Sequence, residues 1–110
     1  MKDDLRTGFD KLGMFRRIAD KIESDPSLLD VGLRNIARWI ANGSDQQHRL
    51  RQWEGMIRAA QDSTAGMREL LAALREDSER AEHFREFAPF AGLLSRSEMI
   101  EILRPCAYAH

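Results

Sequence analysis

Apolar residues recur three or four positions apart along almost the whole chain, which predicts helix. Strand-type alternation is missing, and the sequence holds one Val and one Tyr. Six helical segments follow from the spacing. The first covers about 4–23, with Leu5, Phe9, Leu12, Phe15, Ala19 and Ile22 on one face. Gly8 and Gly13 weaken it by roughly 1 kcal/mol each. Pro26 disfavours helix at Asp25 and ends it. The second covers 27–41, with a seam of Leu29, Leu33, Ile36 and Ile40. Asn42-Gly43 stops it, because both residue types tolerate the left-handed backbone at a helix end. Ser44 with Gln47 reads as a capping box opening the third segment, whose seam is Leu50, Trp53, Ile57 and Ala60.

Segments two and three are thus expected to form a short antiparallel pair over 27–61. The fourth segment covers 62–76, with Met67, Leu70, Leu71 and Leu74 inside. A short fifth starts at Asp77 or Ser78 and turns Ala81 and Phe84 inward. An apolar connector follows at 87–92, broken by Pro89 and Gly92. Ser95 with Glu98 is a second capping box. It opens a sixth helix with Met99, Ile102 and Leu103 inside, which Pro105 is expected to end. The expected fold is all-α: one compact bundle of five to six helices with the 27–61 pair at its centre. Residues 1–110 make one domain, with loose ends at 1–3 and 105–110. Segments one to three are expected in one layer and four to six in a second.

Composition supports a folded chain. At 110 residues it has the size of one domain, and 43% hydrophobic residues suffice for a core. The net charge of −1 argues against a generally electropositive nucleic-acid binder. Cys106 stands alone, so no intramolecular disulfide can form. No apolar run approaches the roughly 20 residues of a membrane span. The polar start, Met1-Lys2-Asp3-Asp4, has no apolar signal core behind it. The expected location is the cytoplasm.

Catalytic chemistry finds little support in the residues. His48, His83, His110 and Cys106 are the candidate metal ligands; only Cys106 and His110 stand four residues apart, and two ligands fall short of the four of a structural zinc site. Cys106 follows Pro105 near the end of the chain, a poor setting for holding a nucleophile against a base. Ser27, Ser44, Ser63, Ser78 and Ser95 all stand at helix starts, where capping accounts for them. The carboxylates of 76–86 interleave with Arg75, Arg80 and Arg85 as on a solvated helix face. The glycines are scattered and make no phosphate-cradling loop. No catalytic residue, cofactor or metal is expected.

Two binding readings remain. A helix-turn-helix-like DNA reader would use Arg34 and Arg38 on the second segment with Arg49 and Arg51 on the third. Against it, that motif has a shorter turn and a recognition helix richer in Ser, Thr and Asn. A protein-binding surface is favoured. Trp39 stands beside its helix seam, and Met56 can lie at the bundle edge. The connector brings Phe87 and Phe90, which lie either at a partner or as a lid over the core. Trp, Met and Arg are enriched in interfaces. A homodimer through the second and third helices is a further expectation.

Pro89-Phe90-Ala91-Gly92-Leu93-Leu94-Ser95, followed by Glu98, resembles the closing motif of small bacterial helical proteins. They share an upstream Trp and a charged stretch, here Trp53 and Asp77-Ser78-Glu79. The resemblance covers about residues 30–104. It implies an antitoxin-like neutraliser or regulatory adaptor whose partner is a toxin or defence protein encoded by a neighbouring gene. It transfers no catalytic residue. The chain departs from the short inhibitory motif of antitoxins against adenylyl-transferring toxins. Glu54-Gly55 is present, but Leu50 stands where a hydroxyl residue belongs.

Overall fold

The third segment carries its whole seam inward. Leu50, Trp53, Ile57 and Ala60 are all buried. The computed structural model describes the backbone of residues 11–107 and the side chains of 11–102. Over that range the chain is a bundle of six helices with no strand. They are α1 (Lys11–Ser24), α2 (Leu29–Ala41), α3 (Gln47–Asp62), α4 (Thr64–Arg75), α5 (Glu79–Arg85) and α6 (Arg96–Ala107). No helix among the described residues is long and apolar enough to cross a membrane.

Trp53 is the hub of the core. Its ring stacks on Phe84 of α5 at 4.5 Å between centroids and meets Phe90 of the connector edge-on at 5.7 Å. Its Nε1–H donates to the Phe84 carbonyl at 3.3 Å, so the one polar atom of the indole is satisfied. One side chain thus joins three parts of the chain.

α3 and α4 approach closely because Gly66 lacks a side chain. A Cβ there would stand 2.2 Å from the Ala59 carbonyl oxygen. Ser63 makes the turn between them. It caps α4 by accepting from the Gly66 amide at 2.9 Å. Ser78 caps α5 in the same way through the Ala81 amide at 3.1 Å.

α4 also packs on α1, where Arg75 donates to Asp20 and Glu23 at 2.7 Å each. These hydrogen bonds, that to Glu23 foremost, raise the Arg75 pKa. The expected layers are therefore corrected. α4 lies against both α1 and α3, so the first three helices do not form a layer of their own.

Three other expectations shift. α2 starts at Leu29, because Pro26–Leu28 form a separate 3₁₀ turn capped by Asp25, whose carboxylate accepts from the Ser27 amide. Ser44 does not cap α3. Its hydroxyl accepts from the Gln46 amide at 3.1 Å, within the turn, and α3 begins at Gln47. Asx- and Ser-type turns compete with caps for the same oxygen, and here the turn wins. α6 passes Pro105 and runs to Ala107. Proline removes one helical N–H but has helical φ itself, so it need not end the last turn. Residues 1–3 and 108–110, with Leu5, Gly8, Phe9 and His110, lie outside the described residues.

The second capping box forms as expected. The Ser95 amide donates to Glu98 at 2.7 Å, and the Glu98 amide donates to Ser95 Oγ at 3.1 Å. Lys21 of α1 donates to Glu98 at 2.6 Å and to the Leu93 carbonyl at 2.9 Å, and Arg17 pairs with Glu101. Donation from Lys21 is the main cause that lowers the Glu98 pKa from its ordinary 4.5 to about 2. A depressed carboxyl stabilises the fold above its unfolded pKa and loses that effect as pH falls toward the folded one. Glu98→Gln is therefore expected to lower the urea midpoint at pH 6. Its deficit against the native chain should shrink between pH 4.5 and about 2. A deficit independent of pH would show that charge at Glu98 has no part in holding α6.

Candidate functional site

The connector leaves α5 and crosses the bundle at α2, and Asn35 fixes it there. The Asn35 side chain is buried, at 4% exposure. Its Nδ2 donates to the carbonyls of Pro89 and Ala91 at 3.0 Å each. Its Oδ1 accepts from Arg38 at 2.6 Å. Both amide protons and the oxygen are used, so the amide costs little to bury. Gly32, one turn earlier, opens room for Phe90. A Cβ at Gly32 would stand 3.0 Å from the Phe90 ring and 2.8 Å from Ile57.

Phe90 is 4% exposed and packed on Trp53. This corrects its assignment as a partner-binding residue: it is a lid on the core. Pro89 and Leu93 are buried with it. Of residues 89–95, Pro89, Phe90 and Leu93 are thus buried, Leu94 is half-buried, and Ala91, Gly92 and Ser95 are exposed.

Phe87 behaves differently. It stays half-buried at the start of the connector, and Trp39 stays half-buried at the end of α2. The two rings line one cleft of about 590 Å³. Leu50 and Ala88 line it with them, as do the turn at residues 42–46 and Glu86. Gly43, with φ of 85°, lets the chain leave α2 without crowding the opening. The structure therefore brings together two of the four residues expected to meet a partner.

Met56 lies elsewhere. It lines a second cleft of about 760 Å³ between α3, α4 and α5, with Phe84, His48 and His83. Arg49 also lines this second cleft. Its guanidinium donates to His83 Nε2 at 3.0 Å and sits 5.5 Å from the Phe87 ring centroid. That distance fits a cation–π contact. Arg49 thereby contacts the Phe87 ring.

The four arginines of the nucleic-acid reading do not act as a set. Arg38 is engaged by Asn35 and Arg49 by His83. Arg51 pairs with Glu54 at 2.9 Å, and its hydrogen bond is the main cause that lowers the Glu54 pKa. Arg34 is exposed on α2. Arg49 and Arg51 lie two residues apart, about 200° around the helix, so they face different sides.

Among the described residues no three His, Cys, Asp or Glu side chains gather as a metal site. His48 and His83 are both exposed and share the second cleft. Arg85 is the residue that pattern reading misplaced on a solvated face. It is 5% exposed, and its guanidinium donates to the carbonyls of Ala73 and Glu76 at 2.9 Å each. There a cation meets the negative end of the α4 dipole. Asn35 was also missed, although Leu28, Gly32, Asn35 and Trp39 form a second row at helical spacing. No protein-family profile, curated protein or solved structure matches this chain.

Proposed function

We propose that the chain is a protein-binding module without catalysis of its own, an antitoxin-like neutraliser or regulatory adaptor, and that its partner enters the cleft between Trp39 and Phe87. One observation carries this reading. Two aromatic rings from distant parts of the sequence line one opening, while the neighbouring Phe90 is used for the core. Half-buried aromatic groups on a fixed floor are the usual anchors of an interface. Such a ring loses little conformational entropy on binding when its backbone is already held. Here Asn35 holds the connector, and Arg49 contacts the Phe87 ring.

Co-purification with the product of the adjacent gene tests the proposal. The native chain is expected to form a complex. Trp39→Ala with Phe87→Ala is expected to weaken it by about 30-fold or more, as for hot-spot residues worth at least 2 kcal/mol. The double variant should keep its helical circular dichroism, because both rings are only half-buried. An undiminished complex from a folded double variant would remove the cleft from the account.

A further inference from the structure

The rim of the Trp39–Phe87 cleft has one sign of charge. Asp45, in the turn before α3, and Glu86, at the end of α5, both line it. No Lys or Arg lines the opening. Among the described residues neither carboxylate is paired with Lys or Arg. Asp45 accepts from the Gln46 side-chain amide at 3.3 Å, and Glu86 has only His83 Nδ1 at 3.7 Å. The helix dipoles do not cancel this charge. α2 ends and α3 begins at the same turn, so their opposed ends offset one another. The floor is apolar, from Trp39, Leu50, Phe87 and Ala88. The cleft volume lies within the range of pockets that bury small ligands.

From this arrangement we infer that the occupant is a short partner segment with a large apolar side chain flanked by Lys or Arg. The apolar side chain fills the floor between the two rings. The flanking cations meet Asp45 and Glu86. An acidic segment, or a nucleic-acid phosphate, meets two uncompensated carboxylates and is rejected. The inference rests on the docking reading above and adds the chemistry of what docks.

The probes are three blocked pentapeptides, Lys-Leu-Phe-Leu-Lys, Gln-Leu-Phe-Leu-Gln and Glu-Leu-Phe-Leu-Glu. Each is titrated into the full ¹⁵N-labelled chain and followed at the Trp39 indole N–H and the Gly43 and Ser44 amides. The basic peptide is expected to move these signals with an affinity roughly ten-fold above the acidic one, the scale of two rim ion pairs. The neutral peptide should fall between. Asp45→Asn with Glu86→Gln should remove the ranking, and so should about 1 M salt.

An equal or reversed ranking overturns the inference but leaves an apolar cleft for docking. No shift from the basic peptide at about 1 mM, a bound state worth roughly −4 kcal/mol, also overturns it. So does a short oligonucleotide that moves the same signals, or a concentration-dependent shift of the chain alone, which would make a second copy the occupant. Failure of the docking reading looks different. The peptides would rank as expected while Trp39→Ala with Phe87→Ala left the partner complex intact.

Discussion

Gly66→Ala is expected to cost about 3 kcal/mol or more and to lower the melting temperature by more than about 10 °C. The added methyl would meet the Ala59 carbonyl oxygen at 2.2 Å and the Ala60 nitrogen at 2.9 Å. Both are backbone atoms inside α3, so no side chain can swing aside. Relief requires α4 to move away from α3, and that opens the layer formed by Ile57, Ala60, Leu70 and Leu74. Proteins of this size have about 5–15 kcal/mol in total, so the loss is a large fraction. Gly55→Ala is the matched control. Gly55 lies in the same α3, and its added Cβ would meet nothing within 4 Å. There the helix propensity of Ala should stabilise by roughly 0.5–1 kcal/mol. Thermal melts of the two variants should move in opposite directions. A Gly66→Ala melt within a few degrees of the native chain would mean that α3 and α4 are further apart than described.

Asn35→Leu is expected to cost about 2–4 kcal/mol. The replacement has similar size but no hydrogen bonds. It leaves the Pro89 and Ala91 carbonyls without their donor and Arg38 without its acceptor. Buried acceptors stripped of partners cost about 1–3 kcal/mol each, the lower part of the range applying where water can reach them. The effect should be local as well as global. Amide exchange should accelerate at residues 87–94, because the connector loses its tie to α2, while α1 exchanges as before. Arg38→Ala should cost less than about 1 kcal/mol, since Arg38 is exposed and Asn35 Oδ1 can take water instead. Urea unfolding separates the two variants, and equal effects would remove Asn35 as the clamp.

Much of the helical pattern was legible because it is local. The α3 seam was complete, and Ser63, Ser78 and the Ser95–Glu98 box lie where the spacing puts them. These signals depend on residues within one or two turns. The misplaced features depend on distant partners. Ser44 and Gln47 satisfy the capping pattern, yet the hydroxyl is taken by the turn that leaves α2. Arg85 reads as a member of a charged face until the C-terminus of α4 arrives above it. Phe90 and Phe87 share the connector and an apolar character. Only the space over Gly32 and the face of Trp53 decide that one goes inside and the other remains at the opening. Trp39 was readable as a ring beside its seam, because the heptad row of Leu29, Leu33, Ile36 and Ile40 passes it by. Its pairing with Phe87 was not, since 48 positions separate them in the sequence. The acidic rim of Asp45 and Glu86 was hidden for the same reason.

Amide hydrogen exchange on the complex with the adjacent gene product tests the docking claim most directly. New protection is expected at residues 39–46 and 86–88, with α1 and α6 unchanged. Protection that falls instead on the outer faces of α2 and α3 around Arg34 and Arg51, with the Trp39–Phe87 opening still exchanging as in the unbound chain, would contradict it.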